Sequence, residues 1–206
     1  MNDLRRSLLR GMSDIVGDLY GEEKPKSAVL KAADTPAPIK QPTLPPFHQL
    51  WKTADETIDW TDILVSPTPT DGLTSADRWA LYHRHAADVL TGDVNAYLAV
   101  LQAENPMADL TPYVAALDVA TVDADTLRAT FAARPDLLQD NRDEYLCGMA
   151  LRIARDLFAA LPVLTVAVTG IQENDTLLSV TFTRAQMNKV RFAFIDPVEF
   201  VENCKE

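Results

Sequence analysis

The sequence predicts an α+β fold in which a long helix packs across an antiparallel sheet. A nearly continuous apolar pattern of helical length covers residues 140–161 and is stopped by Pro162. Two segments rich in β-branched residues follow at 163–170 and 176–183, and the turn sequence QEND between them favours an antiparallel hairpin. Upstream, residues 75–105 have the pattern of helices that would pack against the same layer or its end.

The two helices predicted between residues 75 and 105 have recognisable ends. Ser75 is a favoured N-cap for the first helix, and Gly92 is suited to end it. Asp93 is a favoured N-cap for the second helix, and Pro106 follows its end. We therefore expect a helix–turn–helix pair here with almost no connecting loop.

Two other segments are harder to assign. Residues 47–66 contain a short helical pattern with large apolar side chains. Residues 113–133 combine alternating apolar positions, typical of strands, with helix-forming residues and an aspartate cap. Periodicity alone does not separate a hairpin from a helix in so short a stretch.

The N-terminal part of the chain is predicted to be organised differently from residues 47–206, which form a single α+β domain. Residues 1–20 are predicted to contain an amphipathic helix that docks on its own domain or on a second copy; a membrane-surface anchor is the alternative. Residues 21–46 contain six prolines and are predicted to be an extended linker, with a Pro-rich ligand for another domain as the alternative. The apolar stripe of the helix consists of Leu4, Leu8, Leu9, Met12, Ile15, Val16 and Leu19.

Composition argues against several classes of protein. The net charge of −11 and the pI of about 4.7 disfavour binding to nucleic acid, which depends on neutralising phosphates with Lys and Arg. Cys147 and Cys204 do not make a disulfide framework, and free thiols fit a cytoplasmic protein. The sequence has no secretory signal and no run of about 20 apolar residues that could span a membrane.

Several segments together resemble an uncharacterised family of bacterial hypothetical proteins, a domain of unknown function. The resemblance covers roughly residues 47–197, and its most specific part is EYLCGMALRIARDLFAALPV at 144–163. Weaker matches are IDW at 58–60, NAYLAVLQAENPMADL at 95–110 and LLSVTFTRAQMNKVRFAFIDP at 177–197.

The resemblance implies a fold but no activity and no catalytic residues. In similar sequences two extended segments precede the long helix, which implies a hairpin at 113–133 and a ββαββ order for the sheet. The chain departs from the family in two places. It has ARPDLLQDN at 133–141 where similar proteins are rich in Lys, and it lacks their basic tail after Ile195, Asp196 and Pro197.

Candidates for metal or nucleophile chemistry are few, and we expect no cofactor and no metal site. His83 and His85 are two residues apart on a helix, so they point about 200° apart and cannot hold one ion. His48 has no evident partner in the sequence. Cys147 lies in an apolar helix, where burial raises the pKa of a thiol and makes it inert.

Acidic clusters offer the one enzymatic alternative. Asp59 and Asp62 are three apart and could share a helix face, so they could supply carboxylates to a magnesium-dependent hydrolase or nuclease. A second cluster at 140–144 is explained by helix capping through Asp140 or Asn141.

Arg152, Arg155 and Asp156 are unexpected in a helix that is otherwise apolar around most of its circumference. Arg152 and Asp156 are four apart and can pair. The arginine stems would pack on apolar surface and their guanidinium groups would meet carboxylates at the rim, such as Asp59 or Asp196. The functional alternative is an anion-binding site formed by Arg152 and Arg155.

Two functions remain open from the sequence. The first is a non-enzymatic protein-interaction module that binds a partner or associates with itself through the N-terminal helix. The second is the small metal-dependent hydrolase or nuclease with carboxylates near Asp59 and Asp62. The sequence contains no Gly-rich phosphate loop and no nucleophile elbow, which favours the first.

Overall fold

The structure is a computed structural model, and it describes residues 47–69 and 74–205. The predicted helix in residues 1–20 and the predicted linker of residues 21–46 lie outside the described residues. Within the described part, helices and one four-stranded sheet confirm the predicted α+β class.

The first described part of the fold is helical, and its helices begin where the sequence supplies caps. The side chains of Ser75 and Asp93 accept hydrogen bonds from first-turn N–H groups, and Gly92 ends a helix in the left-handed region at φ 82°. These three predicted caps are confirmed. The elements are a 3₁₀ helix at Phe47–Lys52, α1 at Trp60–Val65, α2 at Ala76–Thr91, α3 at Val94–Glu104 and a 3₁₀ helix at Ala108–Tyr113.

The sheet has the strand order β1–β2–β3–β4 and is mixed. Its strands are β1 at Val114–Thr121, β2 at Thr126–Ala133, β3 at Thr165–Gln172 and β4 at Asp175–Thr183. The pairs β1–β2 and β3–β4 are antiparallel, whereas β2 and β3 are parallel. The prediction of an antiparallel sheet was therefore wrong at its centre. Two consecutive helices connect β2 to β3 and return the chain to the end of the sheet where β2 began, so β3 runs in the same direction.

The long helix predicted at residues 140–161 is present at Arg142–Ala160, and Asn141 separates it from a short helix before it. The helix α4 ends at Asp140, and the side chain of Asn141 caps α5, which spans Arg142–Ala160, by accepting from the N–H of Glu144 at 3.4 Å. A capping role at this position was predicted. The remaining helices are α4 at Pro135–Asp140, α6 at Arg184–Met187, a 3₁₀ helix at Phe192–Phe194 and α7 at Pro197–Asn203.

The core lies between α5 and one face of the sheet. Alternate residues of the inner strands are buried on that face, whereas their neighbours on the other face are exposed or half-buried. Gly170 permits close packing there, because a Cβ atom at this position would lie 2.7 Å from the Phe131 ring. The buried strand residues include Leu127, Ala129, Phe131, Val166, Val168, Val180 and Phe182.

Candidate functional site

The buried face of α5 carries a charged cluster centred on Arg152. Arg152 and Asp156 are only 4% and 0% exposed. The Nε of Arg152 donates to Asp156 Oδ2 at 2.7 Å, so the predicted pair is present. The other two guanidinium nitrogens donate to Thr53 Oγ1 at 2.7 Å and to Asp109 Oδ2 at 2.9 Å, and Asp55 Oδ1 lies 3.9 Å away.

The carboxylates around Arg152 differ from the two that we expected. Asp59 is the N-cap of α1, and Asp196 is the N-cap of α7; each accepts two hydrogen bonds from first-turn N–H groups. The expectation that either one meets the arginines was wrong. An aspartate just before a helix satisfies local backbone donors, and that contact competes with a distant ion pair.

The segment before α1 is tied to the C-terminal part of α5. The backbone N–H of Asp55 donates to Asp156 Oδ1 at 3.0 Å, and that of Ile58 donates to the Ala159 carbonyl at 2.9 Å. The indole of Trp60 donates to the Ala160 carbonyl at 2.9 Å. Carbonyls at the end of a helix lack partners within it, so these contacts satisfy them and also place Asp55 beside Arg152.

Burial and nearby charges both act on the pKa values of Arg152 and Asp156, but a different one of the two effects prevails in each residue. For Arg152, burial opposes the charged form, but the hydrogen bond to Asp156 and the nearby carboxylates of Asp156, Asp109 and Asp55 together raise its pKa. For Asp156, burial is the dominant influence and raises the pKa to about 6, although Arg152 acts in the opposite direction. More carboxylates surround the arginine than arginines surround the aspartate.

Arg155 faces different surroundings from Arg152. One terminal nitrogen of Arg155 donates to the carbonyls of Trp51 at 2.6 Å and Thr53 at 3.1 Å, and the guanidinium lies 4.1 Å from the centre of the Phe192 ring. Burial lowers the pKa of Arg155. The anion-binding pair of Arg152 and Arg155 remains a hypothesis, and each guanidinium nitrogen of Arg152 already has a protein acceptor.

Arg184, the first residue of α6, was not identified from the sequence. Its Nε donates to the Val163 carbonyl at 2.8 Å, and one terminal nitrogen donates to the carbonyls of Phe158 and Leu161. The guanidinium lies 5.0 Å from the centre of the Phe158 ring. Arg184 thus holds the connection from α5 to β3. No spacing in the sequence relates it to α5.

Asp59 and Asp62, the carboxylates of the hydrolase hypothesis, make local contacts. Asp59 caps α1 as described, and Asp62 accepts from the hydroxyl of Ser66 at 3.1 Å. Within residues 47–69 and 74–205, no group of three or more His, Cys, Asp or Glu side chains is placed to hold a metal ion. The hydrolase alternative therefore stays a sequence-based hypothesis.

The histidine and cysteine candidates are dispersed. His48 contacts Glu144 at 2.9 Å, a partner the sequence did not indicate, while His83 is exposed and His85 half-buried on α2. Both cysteines are free. Cys147 is buried as expected, and burial raises the pKa of its thiol to about 11. Cys204 is half-buried.

A cleft of about 430 Å³ lies between α3 and the edge strand β1. We call it the α3–β1 cleft; it is lined by the uncharged polar residues Gln102, Asn105 and Thr111 and by apolar residues that include Leu98, Leu101, Met107, Val114, Leu117 and Val119. No charged side chain lines it. It was not predicted, because it depends on how the end of α3 packs beside β1, and no local pattern encodes that placement.

Comparisons with protein-family models, with curated proteins and with solved structures give no match for this chain. The resemblance at residues 144–163 thus remains an expectation from the sequence. None of the helices in the described ranges is long and apolar enough to cross a membrane.

Proposed function

We propose that the protein is a protein-interaction module whose α3–β1 cleft receives the apolar side of an amphipathic helix. The observation that carries this proposal is a row of aliphatic side chains in an uncharged cleft at the edge of the sheet, with Gln102, Asn105 and Thr111 as polar groups beside them. Apolar grooves of this kind bind amphipathic helices through side chains that recur every three or four residues.

The incomplete covering of β1 supports the proposal. Leu117 and Val119 pair across the sheet with Phe131 and Ala129, which are fully buried. Leu117 and Val119 themselves are only half-buried, because β1 is an edge strand and the contacts of α5 with the sheet are mainly to β3 and β4. A helix laid along β1 would bury this remaining apolar area, and each square ångström contributes roughly 25 cal/mol.

The helix we propose as the occupant is the one predicted in residues 1–20, supplied by a second copy of the chain. Residues 47–206 contain 24 acidic and 12 basic residues, whereas residues 1–46 contain 6 acidic and 7 basic ones. Residues 1–20 themselves contain three acidic and three basic residues, so the predicted helix is not repelled by the acidic domain of another copy.

The predicted linker also favours docking on a second copy. Its 26 residues would span about 80 Å if extended at about 3.1 Å per residue. A domain of about 160 residues has a radius of gyration near 15 Å. If the linker is extended as predicted, it would let the predicted helix reach the cleft of a neighbouring molecule.

Sedimentation velocity over a hundredfold concentration range tests the proposal. The full chain is expected to dimerise, and Leu98→Glu in the cleft or Leu8→Glu in the N-terminal stripe should each prevent dimerisation. Leu98 is half-buried and not packed against the main core, so the folded state should tolerate the change. Phe194→Glu is the matched control, because Phe194 is 85% exposed and does not line the cleft.

Each alternative occupant has its own outcome in this experiment. A parent protein that stays monomeric, with residues 1–20 protected from proteases until Leu98→Glu exposes them, would mean that the helix docks on its own domain. A monomeric parent whose N-terminal cleavage is unchanged by Leu98→Glu would refute the proposed use of the cleft by this segment.

A further inference from the structure

Arg155 and Arg184 are half-buried cations that meet no carboxylate. Among the described residues, no carboxylate oxygen lies within 4.0 Å of either guanidinium group. Their protein acceptors are backbone carbonyls only. Burial lowers the pKa of both, and for Arg184 no nearby charge offsets that effect. A buried positive charge of this kind is stabilised by an anion.

The two arginines line the same cleft, which has a volume of about 170 Å³. Phe158 and Phe192 also line it, and each ring packs against one of the guanidinium groups. Such stacking holds a guanidinium plane in place and leaves its edge free to donate hydrogen bonds. Asn188 adds an amide group to the lining.

Donors on both arginines are free in the described part of the chain. Arg155 makes its hydrogen bonds through one terminal nitrogen, so its Nε and its other terminal nitrogen have no acceptor there. Arg184 uses its Nε and one terminal nitrogen, so its second terminal nitrogen has no acceptor there either. These three nitrogens are accessible to solvent, since none is a buried polar atom without a partner.

We propose that the cleft between Arg155 and Arg184 binds a small molecule through a carboxylate or phosphate group. Guanidinium groups bind both kinds of oxyanion through paired, charge-assisted hydrogen bonds. The cleft is smaller than the roughly 300 Å³ at which pockets for drug-sized ligands begin, so its size suits a small anionic group. This site is independent of the α3–β1 cleft and of the proposed self-association.

Asp55 places a negative charge at the same cleft and should weaken anion binding there. Its side chain lines the same cleft, and it is drawn away toward Arg152, whose nearest nitrogen lies 3.9 Å from Asp55 Oδ1. A bound anion would be repelled by this carboxylate, and removing the charge should strengthen binding. Asp55→Asn keeps the shape of the side chain and the backbone N–H bond to Asp156, so it isolates the effect of charge.

Isothermal titration of the full chain at constant ionic strength tests the proposal with two probes, inorganic phosphate and succinate. We expect at least one probe to bind with a dissociation constant of about 1 mM. The stronger probe identifies which oxyanion the site takes. Arg155→Gln should weaken that binding about tenfold, and Asp55→Asn should strengthen it about threefold.

Arg128→Gln is the control for a nonspecific loss of positive charge, since Arg128 is an exposed arginine on β2. It should leave the dissociation constant unchanged. If Arg155→Gln proves unfolded by circular dichroism, the comparison of parent with Asp55→Asn still decides the question. Absence of binding in both proteins, or equal affinities in parent, Asp55→Asn and Arg128→Gln, would overturn the proposal.

Discussion

Replacing Arg152 by alanine should destabilise the protein severely, because it removes the partner of a fully buried charge. Asp156 is 0% exposed, and Arg152 supplies its only ion pair among the described residues. After the change, one oxygen of Asp156 retains the N–H of Asp55, and the other loses its charged donor.

The expected loss in the free energy of unfolding is about 3–5 kcal/mol, the usual cost of breaking a buried ion pair by removing one member. The value should lie toward the lower end, since Asp156 can take up a proton and avoid the cost of an unpaired charge. The lost contacts to Thr53 and Asp109 add less, because Asp109 is 56% exposed and water replaces the arginine there.

Urea unfolding followed by circular dichroism at pH 7 provides the measurement. The double variant Arg152→Met with Asp156→Leu should regain most of the lost stability, because it removes both charges and keeps apolar volume. The exposed Arg128→Ala serves as the control and should change stability by less than about 0.5 kcal/mol. A loss below about 1 kcal/mol for Arg152→Ala would show that the buried pair does not hold α5 in place.

Three further perturbations test other parts of the structure. Burial raises the pKa of Asp156 to about 6 in the folded state, so between about pH 4 and 6 the folded protein retains a proton that the unfolded chain loses. The contribution of Asp156 to stability therefore falls as pH rises through that window. Urea titrations at several pH values should show this dependence in the parent protein, and Asp156→Asn should remove it. Gly92→Ala should lower the free energy of unfolding by about 2 kcal/mol or more, because φ at this position is 82° and the new Cβ would lie 2.6 Å from Ala124 Cβ. Adding Ala124→Gly should recover part of the loss. An unchanged free energy of unfolding in Gly92→Ala would contradict the close approach. Iodoacetamide at pH 8 should label Cys204 well before Cys147, because the Cys147 thiol is buried and burial raises its pKa to about 11. Peptide mass spectrometry would follow the labelling of each cysteine. The reverse order would contradict the packing of α5.

Local patterns predicted most of the elements because each depends on residues close in sequence. The caps at Ser75, Gly92 and Asp93 lie where expected, since the side chains of Ser75 and Asp93 contact backbone groups two or three residues away and Gly92 adopts the left-handed conformation that ends a helix. The stretch 113–133 forms the hairpin of β1 and β2, which periodicity had left open. The parallel pairing of β2 with β3 was missed because it depends on the path of the chain across 31 intervening residues, from Ala133 to Thr165.

The charged cluster was predictable only in its local part. Arg152 and Asp156 are one helical turn apart, so their contact follows from helix geometry. Thr53, Asp55 and Asp109 reach Arg152 from other parts of the chain. Several acidic residues in the sequence were equally suitable partners by type, and only the packing of the segment before α1 against α5 distinguishes them.

The same reasoning explains why Arg184 was overlooked and why it matters more than the histidines. Sequence motifs identify residue types with reactive side chains, such as His and Cys. An anion-binding site needs only cationic side chains that meet no carboxylate in the folded protein, and the sequence does not show which cations those are. Arg152 has three protein acceptors, two of them carboxylates, so its charge is already compensated. Arg155 and Arg184 line one cleft, and their acceptors are uncharged carbonyls. Among the described residues neither guanidinium has a carboxylate within 4.0 Å, which makes this cleft the first place to seek a ligand.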